Sequence, residues 1–156
     1  MSIVARKLCK GRAGQALVEF ALVVPIFLLL VIGVIEFGRA WNLQQTITDA
    51  AREGARRAVV FDPTLTVAEV QTAVKAKIQA AGFDSTQAQI VWQDCTAGTG
   101  ACTALADFNA LNRGDVLNVQ VQMPYRFIFL KPLMNLANTS SNGSLTLQTA
   151  TQMRKE

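Results

Sequence analysis

The residues able to do chemistry are few, and they fall into three groups. The first surrounds Glu19, the single charged residue between Ala16 and Ile35. A carboxylate at depth in lipid costs about 2.5 kcal/mol or more, so such a residue usually has a partner; the plainer alternative places it among headgroups. Gly14 and Gln15 stand just before it. A cut after Gly14 would give Gln15 a free α-amino group one helical turn from Glu19, or within reach of a neighbouring chain's Glu19. The second group is Cys95 and Cys102, separated by TAGTGA, a stretch flexible enough to close a loop. The third is the acid pair Asp94 and Asp107; nothing in its spacing supports hydrolysis, and both read as solvated loop residues.

Other chemistry is excluded by composition. The chain has no His. That removes a Ser-His-Asp triad, a Cys-His nucleophile and an HExxH zinc site. Three Cys without a CxxC disfavour a structural zinc cluster. There is no GxxxxGK[ST] or GxGxxG to cradle a phosphate. The expectation is a protein that is not an enzyme, with no cofactor, no metal and no small-molecule substrate.

The element that positions Glu19 is a long apolar helix. The chain is 51% hydrophobic and 17% charged, against about 25% charged for an ordinary soluble domain. The twenty residues from Ala16 to Ile35 hold most of that excess; as a helix they span roughly 30 Å, the thickness of a bilayer's hydrocarbon core. We assign residues 15–38 as a transmembrane helix. Pro25 lies inside it, tolerated in a membrane as a mild kink, a melting point during assembly being the alternative.

Residues 1–14 read as a basic leader carrying Arg6, Lys7, Lys10 and Arg12. No A-x-A follows the apolar run, and Cys9 has no apolar stretch before it, so neither a secretory nor a lipoprotein signal fits. Cleavage before the run is the remaining class. By the positive-inside rule the N-terminus is cytoplasmic and the C-terminal domain exported. Without the four leader residues, 11 of the 15 Lys and Arg remain against 11 Asp and Glu, so no basic stripe is left for nucleic acid.

Residues 39–156 read as an exported α+β domain. Leu43, Ile47, Ala50, Ala51, Gly54, Ala55, Ala58 and Val59 recur at helical spacing, so the first helix continues from about Leu17 to Val60 with a small-residue stripe facing its own domain or a second subunit. Asp62-Pro63 ends it. Thr66 and Glu69 form a capping box for a second helix whose apolar face is Val67, Val70, Val74, Ile78 and Ala81, stopped by Gly82; Leu65 can staple onto Val70. Lys75 and Lys77 face solvent. Three strands follow, at Gln87–Gln93, Val116–Met123 and Ser144–Thr151, forming one antiparallel sheet over the helices. Leu117, Val119, Val121 and Met123 share the buried face, and Pro124 marks the strand's end or an edge. Arg113-Gly114-Asp115 reads as the turn into that strand rather than an adhesive motif. Residues 126–134 are apolar and proline-broken, a flap suited to a membrane surface; residues 138–144 form a polar loop.

The run GQALVEFALVVPIFLLLVIGVIEFGRAW, behind its basic leader, resembles a type IV prepilin processing site, and more narrowly the start of TadE-like proteins, minor pilins (pseudopilins) of the tight-adherence (Tad/Flp) pilus. AAREGARRAV at 50–59 and the closing TATQMRKE are similar to that family too. The resemblance implies cleavage between Gly14 and Gln15 by a prepilin peptidase, and an assembly and recognition role for Glu19 with Phe20. It implies an inner-membrane, single-pass protein of pilus assembly and adhesion. Its partners would be membrane lipid, the prepilin peptidase, other Tad/Flp pilins and membrane assembly proteins. Cys95 and Cys102 then meet an oxidising compartment and pair as a disulfide, free thiols being the alternative. The alternative function is an uncleaved, single-pass membrane-anchored binding or sensor domain.

Overall fold

In the computed structural model the described residues are 12–60, 64–96, 102–129, 131 and 144–155. They fall in two compact units, Met1–Ile35 and Glu36–Glu156. Helix α1 (Arg12–Val59) contributes to both and continues through Pro25. In the first unit its apolar side chains are exposed: Leu17, Phe20, Ile26, Phe27 and Leu30 all face outward. A helix apolar all round and unburied is long and apolar enough to cross a membrane.

The second unit is the α+β domain. Beyond Glu36 one face of α1 turns inward: Leu43, Ile47, Ala50, Ala51, Gly54, Ala55 and Ala58 are buried and Val59 is half-buried. The stripe packs on the chain's own domain. Its small residues are needed there, because a Cβ on Gly54 would stand 2.7 Å from Val74 Cγ2 and 3.3 Å from Trp92 Cη2. Only hydrogen fits between α1, the second helix and the sheet.

Helix α2 (Val67–Ala80) buries Val70, Val74 and Ile78. Its capping box is present: Glu69 N donates to Thr66 Oγ1 at 3.3 Å, and Thr66 N donates to Glu69 Oε2 at 2.9 Å. At the other end Gly82 takes φ +85°, Gly82 N donates to the Gln79 carbonyl and Phe83 N to that of Ile78, the Schellman arrangement that closes a helix on a left-handed residue. Two expected positions differ. Ala81 is exposed beyond the last helical turn, and Lys77 does more than meet solvent, since its ammonium donates to the Asp49 carbonyl at 3.3 Å and ties α2 to α1.

The sheet has four strands, β1 (Gln89–Asp94), β2 (Thr103–Ala104), β3 (Val116–Arg126) and β4 (Ser144–Arg154), in the order β2-β1-β3-β4 and all antiparallel. The added strand β2 is two residues long, too short for a period-2 signal to register. β1 begins later than expected because Ser85–Gln87 form a 3-10 turn capped by Asp84, whose carboxylate accepts from Thr86 N and Thr86 Oγ1. These bonds hold the Asp84 carboxyl below its ordinary range, the hydroxyl bond foremost.

β3 does not stop at Pro124. The last pair with β1 is Gln89↔Gln122, while pairing with β4 runs on to Arg126↔Ser144. From Pro124 onward β3 has, among the described residues, a neighbour on one side only, so a residue without an N–H is tolerated there. Leu117, Val119, Val121 and Met123 are buried as expected, and the continuation adds Tyr125 to the same face. Asn118, on the other face of the strand, is buried too and donates to Gln93 Oε1 at 3.0 Å across the β1–β3 pair. Arg113–Asp115 form the turn into β3, with Gly114 at φ +96°. Gly114 N donates to the Lys155 carbonyl and Lys155 N to that of Asp115, both at 2.9 Å, prolonging the β3–β4 ladder. Residues 61–63, residues 130 and 132–134 of the expected flap, and residues 138–143 of the polar loop lie outside the described residues.

Candidate functional site

Two constellations meet the start and the end of the apolar run. The first lies on the opening turns of α1. Gln15 Nε2 donates to Glu19 Oε1 at 3.0 Å, and Gly14, Gln15, Glu19 and Phe20 are all exposed. Glu19 is thus met by an amide one turn away. The Gly14–Gln15 peptide lies near the described start of α1. A Cβ on Gly14 would touch nothing within 4 Å. Among the described residues, no packing demand requires glycine there.

The second constellation centres on Glu36, directly after Ile35, and sequence reasoning assigned it no role. Its side chain has 0% exposure. Oε2 accepts from Tyr125 Oη at 2.6 Å, and Oε1 accepts from Ile128 N and Phe129 N, each at 2.8 Å. Tyr125 Oη also lies 3.2 Å from the Glu36 carbonyl oxygen. Three donors converge on one carboxylate, which is how a buried acid is satisfied. Burial, then the bond to Glu36 and its charge, push the Tyr125 phenol up to about 12. The Phe127 ring meets Tyr125 edge-on with centroids 5.2 Å apart. Beside them a cleft of about 310 Å³ is lined by Arg39, Asp84, Gln87, Tyr125, Arg126 and Ile128 among others. The sequence carried a signal for this site: a second carboxylate set against an apolar run, in VIEFGRAW, and the chain's one tyrosine two residues beyond Met123 in the buried register of β3.

The remaining sequence-flagged residues lie apart from both. Cys95 and Cys102 are joined by a disulfide across seven positions. Asp94 Oδ1 accepts from the Thr96 hydroxyl at 2.6 Å, and Asp107 Oδ1 accepts from Asn109 N at 3.0 Å, so each acid closes its own turn. Lys155, in the closing TATQMRKE, is buried, with Nζ donating to the Phe108 and Leu111 carbonyls at 3.0 and 2.9 Å. Phe37 and Trp41 stack on α1 with centroids 6.2 Å apart.

No curated protein and no solved structure matches the chain. Residues 14–56 match the family model of TadE-like proteins, so over α1, from the glycine before Glu19 to the small-residue stripe, the chain is similar to that family.

Proposed function

We propose that this protein is a non-enzymatic minor pilin of a Tad/Flp type IV pilus, anchored by α1 in the cytoplasmic membrane and taking part in pilus assembly and surface adhesion. A prepilin peptidase removes residues 1–14, the new N-terminus stays at the cytoplasmic face, and the α+β domain is exported. The carrying observation is that the family match opens at Gly14 and runs without a break through Glu19 and the apolar run. The glycine supports the same reading. A side chain there would meet nothing among the described residues, and glycine within a helix costs about 1 kcal/mol relative to alanine, so its use points to an outside reader.

Intact-mass analysis of the membrane-extracted protein tests the proposal. The expected species begins at Gln15, with or without an added methyl group. A chain beginning at Met1 or Ser2, in cells with an active prepilin peptidase, would make the protein an uncleaved membrane-anchored binding or sensor domain instead. Gly14→Val sharpens the test. The substitution meets open space, so the chain should fold and insert normally while the cut is lost.

A further inference from the structure

Glu36 follows directly on the apolar run that ends at Ile35. Its carboxylate holds the backbone of Ile128 and Phe129 at 2.8 Å. That ties the chain leaving β3 to the α1 residue next in sequence after the apolar stretch. The clamp binds the backbone and leaves the side chains free: Ile128 is 54% and Phe129 58% exposed. On α1 at this level Phe37 and Trp41 are exposed as well, at 68% and 57%. Arg39, Arg126 and Lys131 are exposed nearby in sequence, and Arg39 and Arg126 line the same cleft as Ile128, with Asp84 the single acid of that cleft. Exposed aromatic and aliphatic side chains among cations are the composition of a membrane interface, where rings sit at headgroup level and basic groups meet phosphate. A water-facing loop gains nothing from exposing Ile128 and Phe129 together.

We propose that Ile128–Phe129 is a second membrane-surface anchor, held at headgroup depth by the Glu36 carboxylate, with Arg39 and Arg126 meeting anionic phospholipid headgroups. The occupant is the lipid surface because the anchor is tied to the residue that ends the spanning run. The proposal rests on α1 crossing the membrane.

The test uses the full chain in phosphatidylglycerol-containing vesicles whose acyl chains are brominated near the headgroup. Trp41 of the unaltered chain reports whether α1 is inserted, the buried Trp92 supplying a constant background. A Phe129→Trp, Trp41→Phe chain reports on the anchor. The expected result is quenching of the new indole by brominated lipid, at least as strong as that of Trp41, with protection from aqueous iodide. Weaker lipid quenching is expected in purely zwitterionic vesicles, and loss of it on adding Glu36→Ala, with helix content retained in circular dichroism. If Trp41 is quenched but the residue at 129 is reached by iodide, the segment faces water and the anchor is wrong while the membrane reading stands. Shielding from both quenchers would mean a protein contact and would also overturn it. No quenching at Trp41 would overturn the membrane reading and this proposal together. Should Glu36→Ala unfold the domain, Tyr125→Phe, which loosens the clamp and keeps the carboxylate, should reduce the lipid quenching; an unchanged signal would refute the clamp.

Discussion

The hydroxyl of Tyr125 donates a 2.6 Å hydrogen bond to Oε2 of Glu36, a fully buried carboxylate 89 residues earlier. The bond joins the last inward-facing residue of β3 to the residue at which α1 turns from an exposed apolar helix into a packed one. Tyr125 is the chain's only tyrosine, so phenolate absorbance reads this bond alone. The folded phenol sits at about 12, above its ordinary 10.0. The folded state holds the proton more tightly than the unfolded chain does. The stability this contributes is complete below pH about 10 and is lost as pH rises towards about 12. Absorbance of the folded protein in detergent should therefore show a midpoint near 12, moving to near 10 on unfolding. A folded-state midpoint near 10 would mean that the phenol is free. Tyr125→Phe should cost about 1.5–3 kcal/mol, the usual worth of a hydrogen bond to a charged group.

Gly54 lies where α1 meets Val74 of α2 and Trp92 of β1. Alanine would be favoured there by helix propensity, by up to about 1 kcal/mol. Against that stands a Cβ at 2.7 Å from Val74 Cγ2, with Trp92 behind it at 3.3 Å. Val74 is buried and β-branched, with little rotameric freedom to retreat. Overpacking of this kind costs about 1–3 kcal/mol, so the clash outweighs the propensity. Gly54→Ala should lower the unfolding midpoint, and Gly54→Leu should abolish folding; a Gly54→Ala chain more stable than the parent would refute the close packing.

Lys155 should matter to stability through its ammonium. Its Nζ satisfies two carbonyls of the segment that places Phe108 edge-on against Trp92, with centroids 5.1 Å apart. Lys155→Met keeps the apolar stem and removes the donors; the Phe108 carbonyl keeps Leu111 N at 3.3 Å, while that of Leu111 loses its donor, at about 1–3 kcal/mol. The urea midpoint should fall with the slope unchanged. An unchanged midpoint would show that water replaces the ammonium there.

How far these features can be read from sequence depends on whether their cause is local. The α2 capping box and Gly82 stop involve residues within six positions of each other, and both are legible. The inward stripe of α1 and the alternation of β3 follow from period alone. The strand through Pro124 is not legible in this way, because what permits it is where β1 ends, a fact of sheet order. The same limit hid the Glu36–Tyr125 pair. Ending β3 at Pro124 removes Tyr125 from the buried register, and Glu36 is then a carboxylate at the end of a span with no visible partner. Lys155 looks like a solvated tail residue until the Phe108 turn is placed beside it. For Gly14 the converse holds: the sequence marks it, and among the described residues nothing packs where its side chain would be.

The disulfide between Cys95 and Cys102 closes a short loop beside β1. In the chain-entropy model a loop of this size contributes roughly 2–3 kcal/mol by restricting the unfolded chain. Thiol labelling of the mature protein, unfolded without reductant, should find no reactive cysteine, since Cys9 lies in the segment proposed to be removed. Reduction should lower the midpoint without altering secondary structure. Two labelled thiols would count against the bond in the exported protein.

Glu19 carries the prediction most specific to assembly. In the uncut chain its carboxylate accepts only the neutral amide of Gln15 among the described residues. A neutral donor compensates a carboxylate near lipid less than a cation does. Cleavage after Gly14 creates an ammonium at Gln15, and every neighbouring subunit in a helical array would carry one. Glu19 then works as a register device: a subunit docks where its carboxylate meets a neighbour's amine. Glu19→Gln keeps the size and removes the charge. Because Glu19 is exposed, the variant should insert and fold as the parent does, and it should still be cut if the peptidase reads Gly14 and the basic leader. What should fall is co-purification with the other pilins, and with it piliation and surface adhesion. A carboxylate merely solvated among headgroups would leave all three unchanged, and parental levels of pili in the Glu19→Gln strain would decide for that reading.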